Sequence, residues 1–386
     1  MGFISSAPLP PGRMARIVTV VGTRPEIIKM ASVIHELRAR HADHVVLHTG
    51  QHYDANLSEV FFEELALPKP DRNLEVGSGT QAEQTATALV RLEAAFRELS
   101  PDVVLVEGDT NTVLAAALAA AKLGIRVGHV EAGLRSYDLR MPEEHNRRLT
   151  DHLSAFLFAP TEGAAETLRK EACWGAVHVT GNTVIDACLR YGPKAQAQSA
   201  ILRQVPFDTF ALATFHRAEN VDDPRVLREL VEVLVRCPVP VVYPIHPRTR
   251  GRFEAAGLEG RLRDSGNVQL LPPVGYLDFL ALLMRCAFVL TDSGGIQEEV
   301  TAPNIRKKAF VLRRSTERPE AVRAGYAEVL GTDAEVVLRR LKEFASSGWK
   351  SRRASPFGDG RAGLRIVDLL QSEGRKKTGA RAASRC

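Results

Sequence analysis

The sequence predicts an α/β protein built from two doubly wound, Rossmann-like domains. From residue 14 onwards, short apolar runs alternate with longer segments of helical period. Strands that alternate with helices form βαβ units, whose parallel sheets are buried on both faces. The chain has 386 residues, enough for about two domains. Six apolar runs precede the stretch 191–207 and six follow it, and the Gly, Pro, Ala, Gln and Ser content of that stretch is typical of a linker.

The predicted elements follow in chain order. Apolar runs predict strands of the first domain at 17–21, 45–48, 103–106, 127–130, 156–158 and 177–179, and of the second at 210–213, 239–244, 268–271, 288–291, 309–312 and 328–330. Helical period is clearest at 27–40, 81–99 and 225–236. We expect an N-terminal domain at 14–190 and a C-terminal domain at 207–360. A C-terminal helix at 361–371 is expected to pack on the N-terminal domain, with flexible ends at 1–13 and 372–386.

Composition excludes several classes of function. The net charge is +5, but the tail 372–386 holds five Lys or Arg and one Glu, which accounts for +4 of it. The rest of the chain is therefore nearly neutral, and we expect no nucleic-acid partner. No apolar run approaches the ~20 residues that span a bilayer, so no membrane partner is expected. The five cysteines are scattered without a CxxC pair, which favours a reducing, cytoplasmic location.

The turn after the first predicted strand is a candidate anion site. The strand leads into Gly22 and Arg24, followed by Pro25 at the start of a helix, with Lys29 about one turn further on. Free amides at a helix start, with an arginine beside them, bind anions. The sequence is not a phosphate-binding Walker loop, because the Gly-Lys-Ser/Thr is missing. An ordinary strand-to-helix turn with surface charges remains an alternative at this point.

The corresponding turn in the second half is a stronger candidate. The strand at 288–291 leads into Ser293, Gly294 and Gly295, which open another helix. Two glycines let the backbone close on a ligand, and successive amides suit a phosphate. Glu298 and Glu299 in the first turn of that helix would complement its dipole, or would accept sugar hydroxyls if the phosphate belongs to a nucleotide. One anion site in each domain predicts a diphosphate held in a cleft between the domains.

Acidic and basic side chains follow several other strands. Asp109, Glu131 and Glu143 follow strands of the first half or open the next helix, and carboxyls at the mouth of a cleft serve as acid and base when their environments separate their pKa values. Helix caps or ion pairs would account for any one of them alone. His216 and Arg318 lie at strand ends of the second half. No metal site is predicted, because the histidines at 41, 44, 48 and 52 straddle a strand that alternates its faces.

Eleven motifs occur in order between residues 22 and 362: GTRPEIIK, TGQHYD, GDTNT, HVEAGLRS, PEEHNRR, FAPT, GNTVID, HRAEN, DSGGIQEE, TERPE and PFGDGRA. In these motifs the chain resembles the non-hydrolysing UDP-N-acetylglucosamine 2-epimerases. The resemblance implies a GT-B arrangement with the active site in the interdomain cleft. It also implies reversible inversion at C2 to give UDP-N-acetylmannosamine, no cofactor, and a cytoplasmic homodimer.

The resemblance assigns roles to individual residues. Asp109, Glu131 and Glu143 match the proposed acid/base carboxylates, and His216 also matches a catalytic position. The positions that match UDP-sugar contacts are Arg24, Lys29, Phe279 on the uracil side, Ser293, Gly294, Gly295, Glu299 at the ribose, and Arg318. Gln51 and His52 lie in the motif that holds an activating sugar nucleotide in some bacterial members. The implied reaction is elimination of UDP with loss of the C2 proton, passage through a glycal, and re-addition of UDP.

Other functions stay open from the sequence. One is epimerisation of UDP-2,3-diacetamido-glucuronic acid, although those epimerases, as far as the resemblance goes, usually carry Gln where Glu26 stands. A second is a hydrolysing epimerase that releases UDP and N-acetylmannosamine. No motif distinguishes this reaction from the non-hydrolysing one. A glycosyltransferase of the same fold would need an acceptor site, and a non-catalytic UDP-sugar sensor would leave the charged site residues without a purpose.

Overall fold

The protein was analysed as a computed structural model, which describes residues 15–50, 61–349, 351 and 353–382, and the side chains up to residue 372. The described chain divides into two compact units. The first unit contains the described residues up to Ala187 together with those from Gly358 onwards, and the second contains Cys188–Phe357. Each unit is an α/β sandwich with its own parallel sheet.

The first unit is built on a seven-stranded parallel sheet in the order β3-β2-β1-β4-β5-β6-β7. Its strands are β1 (Ile17–Val21), β2 (His44–His48), β3 (Arg72–Asn73), β4 (Val103–Glu107), β5 (Arg126–Val130), β6 (Phe156–Ala159) and β7 (Ala176–Val179). Its helices are α1 (Arg24–Ala39), α2 (Gln81–Leu99), α3 (Asn111–Lys122), α4 (Pro142–Leu153), α5 (Glu162–Lys170) and α6 (Thr183–Gln198), which continues into the second unit. All five residues of β1 and of β4 are buried, as expected for parallel strands covered on both faces.

The second unit has a six-stranded parallel sheet in the order β10-β9-β8-β11-β12-β13. The strands are β8 (Ala211–Thr214), β9 (Val241–Pro244), β10 (Val268–Leu271), β11 (Val289–Thr291), β12 (Ala309–Val311) and β13 (Ala327–Val329). The helices are α7 (Ala218–Val221), α8 (Pro224–Val235), α9 (Pro247–Ala255), α10 (Glu259–Asp264), α11 (Tyr276–Arg285), α12 (Gly294–Glu299), α13 (Pro319–Arg323) and α14 (Ala334–Ala345), with a 3₁₀ turn at Ile201–Gln204.

The strand order creates one topological switch point in each unit. In the first sheet the chain runs outward from β1 to β2 and then returns to place β4 on the other side of β1. In the second sheet β11 lies beside β8 in the same way. Loops that leave the carboxyl ends of such adjacent strands diverge, and the crevice between them is the usual ligand site of this fold class.

The last helix, α15 (Ala362–Ala382), belongs to the first unit and packs against α1. Gly363 lies against Ser32 so closely that a Cβ would come within 2.9 Å of the Ser32 backbone. Arg40 at the end of α1 pairs with Asp368 at 2.7 Å and donates to Gln371 at 3.0 Å. No helix of the described chain is long and apolar enough to cross a membrane.

The structure contains all twelve predicted strands, with ends shifted by at most two residues. It adds β3, a two-residue edge strand whose sequence has no apolar pattern. Two boundary predictions were wrong. The stretch predicted as a linker begins inside α6, which accommodates Pro193 in its interior, and the division falls between Ala187 and Cys188. The last helix continues to Ala382, past the predicted end at 371.

Candidate active site

The turn between β1 and α1 is the first candidate anion site. Gly22 ends the strand, and a Cβ there would lie 2.4 Å from the hydroxyl oxygen of Thr112 and 2.5 Å from that of Thr49, so the turn requires glycine. Arg24 opens α1, and its guanidinium carbon lies 4.6 Å from the centre of the Phe61 ring. A stacked guanidinium beside a helix start is well suited to an anionic ligand.

Glu26 is a buried carboxyl that joins two of the loops at the first switch point. It accepts hydrogen bonds from the Gly22 amide at 2.6 Å, the Thr23 hydroxyl at 2.9 Å and the Thr110 hydroxyl at 2.8 Å. Burial raises the pKa of Glu26 to about 7, although these three donors act in the opposite direction. The carboxyl therefore holds the turn after β1 against the turn after β4.

Lys29 lies between two buried carboxylates rather than in solvent. Its Nζ is 2.5 Å from Glu131 Oε2 and 3.0 Å from Glu107 Oε1. Asn182 also donates to Glu131 Oε2, at 2.8 Å. Burial raises the pKa of Glu107 well above its usual range. The attraction of Lys29 lowers this pKa, and repulsion from Glu131 raises it further. Two carboxyls thus share one ammonium, which is the condition under which one of them retains its proton at neutral pH.

Glu131 follows β5 in a left-handed backbone conformation, with φ of 70°. Such a conformation is uncommon for a residue other than glycine, and it costs of order 1–3 kcal/mol. The hydrogen bond from Asn182 and the ion pair with Lys29 hold the side chain in place. Strained residues of this kind concentrate at functional sites, which fits the predicted acid/base role.

Asp109 lies at the carboxyl end of β4, directly after Gly108, whose φ is +86°. Its side chain is a third exposed, and its Oδ2 pairs with Nη2 of Arg147 at 2.5 Å. Arg147 also pairs with the fully buried Glu144 at 3.0 Å. Glu143 is half-buried in the first turn of α4. In the first unit, Asp109 and Glu131 therefore lie on loops at the carboxyl edge of the sheet, and Glu143 lies in the first turn of α4.

His216 follows β8 and faces a buried carboxylate. Its backbone amide donates to Asp292, and its Nδ1 lies 3.5 Å from Asp292 Oδ1. Asp292 also accepts from the Arg217 amide at 3.0 Å and from Asn220 at 3.1 Å. Desolvation by neighbouring atoms lowers the pKa of the His216 ring. The attraction of Asp292 raises this pKa, and the nearby arginines lower it. The ring is 47% exposed, so it can contact a ligand.

The turn after β11 carries the predicted phosphate-binding residues. Ser293 is the N-cap of α12, and its amide donates to the Thr291 hydroxyl at 2.9 Å. A Cβ on Gly294 would lie 3.6 Å from the guanidinium carbon of Arg318. Gly294 and Gly295 therefore open the helix beside a cation, and the turn combines backbone amides with a fixed positive charge.

Arg318 is held by acidic neighbours. It forms an ion pair with the fully buried Glu298. Arg313, five residues earlier in the chain, pairs with Glu317 through two nitrogens at 2.9 Å each and with Glu219 at 2.8 Å. Burial would raise the pKa of Glu317, but Arg313 and the other nearby arginines outweigh it and hold that pKa at about 2. These fixed pairs set the position of the Arg318 segment.

The remaining predicted residues are placed less directly. Phe279 is half-buried in the first turn of α11, next to Asp278, which accepts from Ser199 at 2.6 Å. Glu299 is buried in the last turn of α12. The predicted activator residues Gln51 and His52 lie outside the described residues.

Sequence reasoning assigned no specific role to several side chains that shape these sites: Glu26, Glu107, Asp292 and Arg313. It considered Arg147 only as a possible ion-pair partner of the strand-end acids, and Asp109 is the acid that Arg147 meets. Glu107 and Asp292 carried a usable signal, because they end or follow strands of otherwise apolar residues, and charged residues at the carboxyl ends of buried parallel strands are candidates for a site. Arg313 carried no such signal, since only the fold shows which acids it meets.

One group of side chains among the described residues has metal-ligand character. Atoms of His152, Glu171 and Cys173 lie within 4.8 Å of one another. However, Arg135 binds Glu171 at 2.7 Å and Arg148 binds it at 3.2 Å. Burial raises the pKa of the Cys173 thiol to about 11, which disfavours the thiolate that a metal needs. We therefore propose no metal at this group.

Comparison with known proteins places this chain among sugar-nucleotide enzymes. The family model described as UDP-N-acetylglucosamine 2-epimerase matches residues 35–371. The UDP-N-acetylglucosamine 2-epimerase of Methanococcus maripaludis is 42% identical over 371 residues, which covers 93% of this chain and 99% of that protein. The UDP-2,3-diacetamido-2,3-dideoxy-D-glucuronate 2-epimerase of Pseudomonas aeruginosa is 40% identical over 363 residues, which covers 92% of this chain and 99% of that protein.

Solved structures give the same result. The crystal structure of Methanocaldococcus jannaschii UDP-GlcNAc 2-epimerase in complex with UDP-GlcNAc and UDP is 42% identical, with a TM-score of 0.86, and the match covers 92% of this chain and 99% of that one. The Neisseria meningitidis enzyme bound to UDP-GlcNAc is 36% identical, with a TM-score of 0.84, and the match covers 92% and 100%. This chain therefore belongs to the UDP-N-acetylglucosamine 2-epimerase family and is an isomerase with two Rossmann-like α/β halves.

Proposed function

We propose that this enzyme interconverts UDP-N-acetylglucosamine and UDP-N-acetylmannosamine without a cofactor. The observation that carries the proposal is the pair of carboxyls at the carboxyl ends of two adjacent strands. Asp109 follows β4 and pairs with Arg147, and Glu131 follows β5 and pairs with Lys29. Relatives of 36–42% identity are named for this reaction or hold UDP-GlcNAc in their structures. An epimerase that inverts C2 needs two groups that exchange a proton with opposite faces of one carbon, and Asp109 and Glu131 are our candidates for these groups.

The proposed reaction proceeds by elimination and re-addition. A carboxylate takes the proton from C2, the electron pair of that C–H bond forms the C1–C2 double bond, and the C1–O bond to UDP breaks with its electrons leaving on UDP. The resulting glycal is protonated at C2 from the opposite face, and the UDP oxygen attacks C1. This route avoids an isolated carbanion at a carbon that no carbonyl acidifies. The reaction is redox-neutral, so its atoms balance without an added electron acceptor.

We assign the proton transfers to Asp109 and Glu131, with Glu143 in support. Their environments differ as such a pair requires. Asp109 is a third exposed and bound to a guanidinium, whereas Glu131 is buried and shares the Lys29 ammonium with a second carboxyl. Different surroundings separate the proton affinities of two carboxyls, so that one starts as the base and the other as the acid.

We assign UDP binding to residues of both helix-start turns. Arg24, His216, the Ser293–Gly295 turn and Arg318 are proposed to stabilise the charge that develops on the leaving diphosphate. Glu299 is proposed to bind the ribose and Phe279 the uracil. Desolvation lowers the pKa of His216, and we assign it the role of a hydrogen-bond partner of the diphosphate. The interdomain cleft predicted from the sequence stays a prediction.

The test is epimer formation from UDP-N-acetylglucosamine in deuterated water with no added cofactor. We expect UDP-N-acetylmannosamine carrying deuterium at C2, and loss of both epimer formation and deuterium incorporation in Asp109→Asn and Glu131→Gln. Glu162→Gln is the matched control, because that side chain is 74% exposed at the start of α5. Wild-type deuterium incorporation in both active-site variants would refute the assignment. Free UDP that accumulates in step with sugar consumption would instead indicate the hydrolysing reaction.

Two further properties follow from the family resemblance and are proposed on that basis. We propose that the enzyme is a homodimer and that it works in the cytoplasm. Light scattering coupled to size exclusion measures the first, with a mass near twice 42.3 kDa expected. A monomeric mass at working concentrations would contradict the dimer.

A further inference from the structure

A fully buried network lies beneath the proposed acid/base residues. His129, in β5, has its Nε2 2.8 Å from the Gly108 carbonyl oxygen and its Nδ1 2.7 Å from Asp151 Oδ1. Asp151 Oδ2 pairs with Arg135 Nη1 at 2.7 Å and accepts from the Gly133 amide at 3.2 Å. The His129 and Asp151 side chains are 0% exposed, and that of Arg135 is 1% exposed.

The hydrogen bonds fix the orientation of the His129 ring. A carbonyl oxygen only accepts, so Nε2 donates to the Gly108 carbonyl. Nδ1 shares a hydrogen bond with Asp151 Oδ1, while Asp151 Oδ2 accepts from the Gly133 amide and the Arg135 guanidinium. The ring is therefore held between the Asp151 carboxyl and a backbone carbonyl.

This network joins the three segments that carry the proposed acid/base carboxylates. Gly108 directly precedes Asp109, and Gly133 comes two residues after Glu131. Asp151 belongs to α4, the helix that begins with Pro142 and Glu143. Both glycines have positive φ, at 86° and 87°, so these turns depend on external bonds to hold their peptide groups. His129 supplies such a bond to the turn at Gly108, and Asp151 supplies one to the turn at Gly133.

We propose that His129 and Asp151 are positioning residues for the proton transfers. They hold the loops of Asp109 and Glu131 in fixed positions relative to α4. This inference rests on the proposed function. Proton transfer requires the carboxyl to lie within hydrogen-bond reach of its proton, and a misplacement of about 1 Å costs on the order of 100-fold in rate. Neither residue needs to touch the substrate, because its effect passes through the two turns.

The kinetic test uses Asp151→Asn in the full chain. Asparagine keeps the shape of the side chain but removes the carboxyl that pairs with the Arg135 guanidinium. We expect kcat for epimerisation and the rate of deuterium incorporation to fall by about 10- to 100-fold, with KM and UDP affinity within about two-fold of wild type. A variant that is merely less stable would lose active molecules but would retain the kcat of those that remain folded.

Asp102→Asn is the matched control. Asp102 precedes β4 at its opposite end, where its carboxylate accepts from the Arg16 amide at 2.7 Å. This substitution is expected to lower stability with little change in kcat. Equal kcat values for Asp151→Asn, Asp102→Asn and wild type, each corrected for folded protein, would overturn the positioning role.

The network is also tested without any turnover. Nitrogen NMR of protein labelled in its histidine rings should show a hydrogen-bonded Nε2–H for His129 at neutral pH, assigned by its disappearance in His129→Gln. Absence of that N–H in the wild-type protein would overturn the proposed network, even if the Asp151→Asn variant fails to fold. If wild-type enzyme forms no epimer, the proposed function fails, whereas the NMR result still decides the network.

Discussion

Replacing Glu26 with glutamine will change how the stability of the first unit depends on pH. The glutamine carbonyl can accept from the Gly22 amide, and its NH₂ can donate to the hydroxyls of Thr23 and Thr110, which accept as readily as they donate. The substitution therefore keeps the three contacts of the carboxyl and removes one titrating group. Any pH-dependent difference between the two proteins then reports on Glu26 itself.

The size and sign of the effect follow from the pKa. Burial raises the pKa of Glu26 from 4.5 to about 7, and a shift of that size corresponds to about 3 kcal/mol. Below about pH 4.5 the carboxyl is protonated in both the folded and the unfolded state, so its full contribution to the unfolding free energy is present. As the pH rises towards 7, the unfolded state ionises first and the folded state loses this contribution. Between about pH 4.5 and pH 7, the unfolding free energy of wild type should fall by up to about 3 kcal/mol relative to that of Glu26→Gln. Above this range the difference between the two proteins should stay constant.

The assay is denaturant unfolding at several pH values, followed by the fluorescence of Trp174. The chain has two tryptophans, and a Trp349→Phe background leaves only the one in the first unit. Glu162→Gln, an exposed carboxyl of the same unit, serves as the control and should run parallel to wild type. If the curves for wild type and Glu26→Gln also stay parallel from about pH 4 to pH 8, the carboxyl does not titrate in this range and the reasoning is refuted.

Three other substitutions test the sites. Lys29→Met leaves two buried carboxyls without their shared ammonium, so we expect about 3–5 kcal/mol less unfolding free energy, measured by denaturant titration, together with loss of epimer formation. Arg147→Met removes the guanidinium beside Asp109, and kcat in the coupled epimerase assay should fall at least about 10-fold because the carboxyl loses its orientation. Gly294→Ala places a Cβ in ordinary contact with Arg318, so folding should be preserved while KM for the UDP-sugar rises by about 10-fold as the methyl group enters the phosphate turn.

Each of these expectations has a clear contrary result. Wild-type stability in Lys29→Met would mean that the two carboxyls are protonated without their cation. An unchanged kcat in Arg147→Met would separate the guanidinium from the chemistry. An unchanged KM in Gly294→Ala would show that the turn after β11 does not approach the ligand.

The strands and the turns that follow them were predictable because their signals are local. Runs of β-branched and aliphatic residues predict strands buried on both faces, and 17–21 and 268–271 match the structure residue for residue. The edge strand Arg72–Asn73 was not predicted, because two polar residues that pair with β2 have no pattern of their own. The linker prediction at 191–207 was wrong for a related reason. Pro193 indicates a break locally, yet α6 accommodates it.

By itself, the sequence determined the two-sheet α/β architecture and the loops that carry Arg24, Asp109, Glu131 and Ser293, because strand periodicity and turn chemistry are written in adjacent residues. Only the tertiary structure decided which charges meet. The ammonium of Lys29 lies with Glu131, 102 positions away, and only the fold brings the two together. Buried ion pairs and proton positions depend on strand register and on loss of water, and neither is encoded in the spacing of residues along one helix.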